Sequence, residues 1–309
     1  MVKIILINAI LYLSFIWNSI YLLFKNLTTK SQEVIDKNQF HQLHQIMNQS
    51  NTSTNTSNTA TNTSTNASTN ASPNTNFTIL NWNIHYFTDN KDNCTFINQF
   101  DYLKEKLPDI ICLQEVKCKT FEIKNEKCNQ LKCLAEKLGY FHIHINELAV
   151  LSKFKIKQHK FISHYPNSNS FGNRCILFRI ELNNKEINIL NLHLHNDLFG
   201  MEQLTFYYKY LKKLIKKCNE TKQILIICGD FNSIPFHPVL SKIKKHLKII
   251  NQQYENYSYT FPTNYPILQL DKCYSNESIT NNFTLINSKS DTNCMFSDHF
   301  PLINEFLIA

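Results

Sequence analysis

A chain of 309 residues, 43% hydrophobic and 18% charged, carries enough apolar side chains for a sizeable core. Its length alone allows two domains, but an Asn/Ser/Thr-rich stretch in the first quarter has nothing to bury and excludes a core there. The formal net charge of +8 is compatible with a nucleic acid or an anionic membrane surface as partner and selects neither, because abundant Asn, Lys and Ile also fit compositional drift.

Residues 4–24, IILINAILYLSFIWNSIYLLF, are uncharged and long enough to cross a bilayer as one helix. A signal peptide has a shorter apolar run of about 7–15 residues and small residues at its cleavage site. Here KNLTTK follows instead. Residues 1–25 are therefore expected to be an uncleaved signal-anchor, with a cleaved signal peptide and a secreted protein as the alternative. Lys3 on one side and Lys25 and Lys30 on the other leave the orientation open; a lumenal or extracellular catalytic domain is the leading expectation. Residues 26–76 read as a disordered tether, with N-x-S/T acceptors at Asn51, Asn55, Asn62, Asn66 and Asn70 that would be glycosylated in such a location. Asn/Ser/Thr tracts also create such triplets by chance. The 10 cysteines permit disulfides, Cys118–Cys128 or Cys273–Cys294 among them, while Cys112 and Cys228 read as small buried hydrophobes.

From residue 77 onward strand-like and helix-like pieces alternate. FTILNWNI is a strand ending at Asn83, and FINQFDYLKEKL has helical spacing and stops at Pro108. DIICLQEV is a buried strand ending at Gln114 and Glu115. ELAVLSKFKI, RCILFRIEL and EINILNLHLHND are three more, the last carrying His193. A helix with apolar Leu204, Tyr207, Leu211, Leu214 and Ile215 leads into ILIICGDFN, where five apolar or thiol side chains stop at Gly229 and present Asp230 and Asn232. YTFPTNYPILQLDKCY and FSDHFPLINEFLI close the chain. Gly, Asp and Asn after a strand are ordinary turn residues. Polar residues recurring at the ends of separate apolar strands (Asn83, Glu115, His193, Asp230, Asn232, Asp298 and His299) point instead to one shared site, since α/β proteins bind ligands at the carboxyl ends of strands.

In order, NWNI, CLQEV, AVLSKF, NLHLH, GDFN, LD and SDHFPL resemble the endonuclease/exonuclease/phosphatase superfamily, over residues 77–309. The resemblance implies a deoxyribonuclease I-like α/β (α+β) fold, a four-layer sandwich of two packed mixed β-sheets flanked by helices. It implies hydrolysis of phosphate esters with Mg²⁺, or Mn²⁺ in its place. Hard oxygen ligands suit such an ion, which binds one or two carboxylates and keeps several waters. Glu115 is the expected main ligand, with Asp298 and Asn83 as further candidates; Asn83 would otherwise orient Glu115 or touch the phosphate. Asp230 would orient or deprotonate water, Asn232 would hold the phosphate, and His299, aligned by Asp271, would stabilise the transition state. His193 would act on the phosphoryl group or the leaving oxygen, with Glu147 placed like its carboxylate partner. Taken singly, each residue also reads as a turn former, a solvated strand end or a surface carboxylate.

Departures limit what carries over. Gln269 stands where many relatives have a basic residue, AVLSKFKI lacks the usual proline, and the tryptophan signature of inositol polyphosphate 5-phosphatases is absent. The leading expectation is a membrane-tethered, nuclease-like phosphodiester hydrolase with a monomeric catalytic domain. A sphingomyelinase-like phospholipid hydrolase and a non-catalytic binding module on the same fold are the alternatives, with exposed aromatics favouring lipid and a basic groove favouring nucleic acid.

Overall fold

The structure is a computed structural model and describes residues 75–117, 120–123, 126–164, 172–197, 200–247, 258–276 and 283–308, with Asn38, Gln39, His41, Gln42, Gln45 and Ile46. The apolar stretch 4–24 and its anchor role, the acceptor asparagines and Cys118 lie outside these residues. Among the described residues no helix is long and apolar enough to cross a membrane.

Two sheets form the middle of the molecule. The first holds six strands in the order β12-β13-β1-β2-β6-β5 and the second five in the order β11-β10-β9-β8-β7. In chain order the strands are β1 (Thr75–Asn83), β2 (Ile110–Gln114), β3 (Thr120–Ile123), β4 (Glu126–Asn129), β5 (Phe141–Ile145), β6 (Leu148–Ser152) and β7 (Gln158–His164). They continue with β8 (Asn173–Leu182), β9 (Lys185–His193), β10 (Ile224–Asp230), β11 (Asp271–Ser275), β12 (Phe283–Ser290) and β13 (Leu302–Ile308). β3 and β4 form a separate hairpin. The helices are α1 (Phe96–Lys106), α2 (Gln130–Leu138), α3 (Met201–Phe206), α4 (Lys212–Glu220) and α5 (Pro238–Leu247). The expected single helix around Leu204–Ile215 is interrupted by a π-helical turn at Tyr207–Leu211, across which Phe206, Tyr207, Leu211 and Ile215 stay buried.

The layering follows from strand periodicity, since successive side chains point to opposite faces. In β1, Phe77 and Ile79 face the second sheet, whereas Leu80 and Trp82 join the cluster under α1 and α2. In β10, Ile226 and Cys228 face the first sheet, while Leu225 and Ile227 pack under α3, α4 and α5. Both faces of these strands are covered, so their sequences are nearly continuous apolar runs. The four-layer helix–sheet–sheet–helix sandwich implied by the resemblance is the observed fold. α1 ends where expected, with Leu107 in the left-handed region (φ 40°) before Pro108.

Two expectations are corrected. Cys273 and Cys294 are free thiols in different core clusters, so they form no bridge. Among the described residues of 26–76, Gln39, Gln42 and Ile46 are docked on the sandwich. Gln39 donates to the Tyr86 carbonyl and Gln42 to that of Cys94, and Ile46 is buried in the core cluster that also holds Phe87 and Phe96. An isolated isoleucine in a polar stretch gives no periodicity to read, and its burial surface is built by residues far along the chain.

Candidate active site

The inward-facing rows turn polar at one end of the sandwich. Phe77 and Ile79 are followed, at the same parity, by Asn81 and Asn83. Ile110 and Cys112 are followed by Gln114; Ile187 and Ile189 by Asn191 and His193; and Ile226 and Cys228 by Asp230. β1 runs parallel to β2, and β9 parallel to β10, so these carboxyl ends lie together. Gly229 has φ +149°, and a Cβ there would stand 1.9 Å from the Leu192 carbonyl oxygen. Only glycine lets β10 lie this close to β9 immediately before Asp230.

Asn83 links the two sheets. Its amide nitrogen donates to Glu115 Oε1 and to Asp230 Oδ2, each at 3.1 Å, and its oxygen accepts from the His85 backbone N–H. The amide hydrogens therefore orient the carboxylates, which fits the orienting role better than metal ligation. Glu115 itself has φ +55°, a region that side chains avoid, and its carbonyl accepts from Tyr86 N.

Asp230 is buried, with Oδ1 accepting from the Asn232 backbone at 2.8 Å. Burial is the main cause of a carboxyl pKa raised to about 7; His299 and the Asn232 and Asn83 hydrogen bonds oppose the rise, and Asp271 adds to it. His299 Nε2 lies 3.9 Å from Asp230 Oδ2, and its Nδ1 is 2.8 Å from Asp271 Oδ2. Burial disfavours the charged imidazole, but Asp271, Asp298 and Asp230 outweigh it and lift its pKa to about 10. Phe261 packs on the same ring at 4.7 Å. Asn232 (φ 44°) donates its side chain to the Leu194 carbonyl.

His193 Nε2 lies 3.7 Å from Asp230 Oδ2 and 3.9 Å from Glu115 Oε1. Glu147 takes a different place from the expected carboxylate partner: it pairs with Arg174, and Arg174 donates to His193 Nδ1 at 3.1 Å. Asp298 lies at the open side, 4.0 Å from His85 Nδ1. Burial lowers the pKa of His85, but Asp298, Glu115 and Asp92 raise it further, for a net rise.

The structure thus brings together Asn83, Glu115, His193, Asp230, Asn232, Asp271, Asp298 and His299, and reaches Glu147 through Arg174. Residues outside the expected set are Arg174, His85, which reads from the sequence as a neighbour of the site, and a buried chain beneath it. In it Gln114 donates to Asn81 and Asn191, and Asn81 donates to Asp271 Oδ1 at 3.1 Å. Parity with Asn83, Asp230 and His193 was the available signal for Asn81, Gln114 and Asn191.

Glu115 and Asp298 are partly exposed carboxylates that both act on His85. This hard-oxygen pair suits Mg²⁺ with retained waters. Among the described residues no group of three His, Cys, Asp or Glu could hold a metal ion by itself.

The fold has known counterparts. The catalytic domain of human nocturnin with bound sulfate is 17% identical, the match covering 76% of this chain and 95% of that one, with TM-score 0.57. A mannosyl-6-phosphatase of Bacteroides thetaiotaomicron is 16% identical, covering 74% and 99%, with TM-score 0.58. Humanized D. rerio TDP2 is 16% identical, covering 75% and 98%, with TM-score 0.54. No curated protein sequence matches the chain. The sequence profile of the "Endonuclease/Exonuclease/phosphatase family" matches residues 80–299, which include Asn83, Glu115, His193, Asp230 and His299, and the chain belongs to that family.

Proposed function

We propose that this hydrolase of phosphoric esters is a divalent-cation-dependent phosphodiesterase. The observation that carries the reading is the convergence of Asp230, at 3.9 Å, on a His299 held by Asp271, with Asn83 joining Asp230 to Glu115. Glu115, with Asp298, would hold Mg²⁺ or Mn²⁺, which when bound supplies neutralisation of phosphoryl charge. Asp230 accepts a proton from the attacking water; its raised pKa suits a base working near neutral pH. Cationic His299 faces the charge that develops on the phosphoryl oxygens, the type of stabilisation that contributes most to such reactions. Asn232 and the Nε2–H of His193 add donors to the same group. A non-catalytic binding module would have no use for this coupled acid–base pair.

A nucleic acid is the first substrate reading, supported by the net charge of +8. A phospholipid is favoured by a specific observation: Phe236 is 89% exposed, Tyr265 67% and Met295 50%, each on a loop that leads into or out of site residues. Tethering through residues 4–24, with a lumenal or extracellular catalytic domain, belongs to the same proposal and is supported by the length of that uncharged stretch. The test is the full chain with Mg²⁺, assayed in parallel on plasmid DNA, RNA and sphingomyelin vesicles. Cleavage of one class identifies the substrate; no cleavage of any overturns the phosphodiesterase reading.

A further inference from the structure

Among the described residues, the longest run of side-chain-bearing residues in the left-handed region lies beside the site. His85, Tyr86 and Phe87 have φ of 43°, 55° and 63°, three consecutive side-chain-bearing residues in the left-handed region. Such residues persist only where their surroundings hold them. This turn is joined to the site at both ends: His85 N–H donates to Asn83 Oδ1 and Tyr86 N–H to the Glu115 carbonyl, both near 3 Å. Glu115 is itself left-handed.

The Tyr86 carbonyl accepts from Gln39 Nε2 at 2.6 Å. Gln39 is 3% exposed, and its oxygen accepts from Gln130 Nε2 at 3.1 Å, so both ends of its amide are used across separations of 47 and 91 residues. Gln42 makes a second such clasp. It donates to the Cys94 carbonyl and accepts from Ile97 N–H, each at 3.0 Å. Ile97 lies in the first turn of α1, whose preceding residue Thr95 provides no side-chain cap, and Gln42 therefore serves from a distance as its capping acceptor. Ile46, 3% exposed, fixes the same segment in the core under α1.

We propose that Gln39 is a positioning residue for the active site. By clasping the Tyr86 carbonyl it holds the left-handed turn in place, and through Tyr86 N–H it holds the backbone of Glu115. Gln39, with Gln42 and Ile46 beside it in the chain, then supports the site from a segment that precedes β1 in the sequence. The kinetic half of the test rests on the phosphodiesterase reading; the exchange half does not.

Full-length Gln39→Met and Gln130→Met form a matched pair. Both delete the Gln39–Gln130 bond, and only the first releases the Tyr86 carbonyl. Gln39→Met is expected to speed hydrogen exchange in the 84–88 backbone about fivefold, the size of one net hydrogen bond, with Gln130→Met close to wild type. It should also lower kcat about fivefold with KM unchanged, as displacement of a group acting in the transition state does. Equal exchange in both variants, or faster exchange with unchanged kcat, overturns the proposal. A wild type that cleaves no phosphodiester defeats the functional reading, and the exchange comparison then decides the positioning claim alone.

Discussion

Arg174 donates to Nδ1 of His193 at 3.1 Å, and the same guanidinium nitrogen pairs with Glu147. A guanidinium has no acceptor. Nδ1 of His193 must therefore be the acceptor, and the ring hydrogen sits on Nε2, facing Asp230 and Glu115. A carboxylate partner in direct contact would have imposed the opposite arrangement. Arg174→Met should cost about 3 kcal/mol of stability, because it leaves Glu147 without its cation in a largely buried place. Adding Glu147→Gln should restore much of that stability but not the turnover, since His193 is still unaligned. Urea denaturation and kcat of the two single variants and the double variant check this; restored turnover in the double variant would contradict it.

Asp230→Asn and His299→Ala should each lower kcat about 10²- to 10³-fold, the usual loss when one preorganised electrostatic group is removed. Circular dichroism should be unchanged. Near wild-type turnover in either variant would remove that residue from the chemistry.

The pH–rate profile should be bell-shaped. Activity needs the Asp230 carboxylate, raised to about 7, so it falls as pH drops through about 7. It also needs the His299 cation, raised to about 10, so it falls as pH rises through about 10. The two groups lie 3.9 Å apart, so the limbs report apparent values of the pair. For stability the sign is the same on the alkaline side. His299 has a folded pKa above its unfolded value near 6.5, so its contribution is complete below that value and is lost as pH rises through about 10. Asp271→Asn should move the alkaline limb down towards neutral pH; an unmoved limb would assign it to another group.

Chelation should silence the wild type, with Mg²⁺ or Mn²⁺ restoring activity and Ca²⁺ doing so poorly because of its longer, looser coordination. Glu115→Gln keeps the shape and loses the charge, so its activity curve should shift to higher Mg²⁺ while KM for substrate changes little. Superimposable curves, or full activity in excess chelator, would rule out Glu115 as ligand.

Gly229→Ala should destabilise the fold and lower kcat together. Its Cβ would meet the Leu192 carbonyl at 1.9 Å, so β10 must move off β9, and Asp230 moves with it. Chemical denaturation and turnover of this one variant test the coupling.

How much of this was legible in the sequence follows from how local each signal is. The buried central strands were readable because both faces of β1, β2, β9 and β10 are covered, which writes a continuous apolar run into the chain. Their polar ends pointed to the site, and the ordered motifs from NWNI to SDHFPL carried the resemblance to the family. The peripheral strands were not readable in this way: β5 and β7 are edge strands with exposed or half-buried side chains, so pairing rather than local pattern defines them. Nor could local pattern show that Arg174 stands between Glu147 and His193, that Asn81 and Gln114 support Asp271, or that Gln39 reaches Tyr86. Those contacts join residues 19 to 190 positions apart, and their partners exist only once the two sheets have packed. The residue types, and the face of the strand each occupies, are properties of the sequence; which hydrogen-bond donor meets which acceptor is decided by tertiary structure, because burial removes water as the alternative partner.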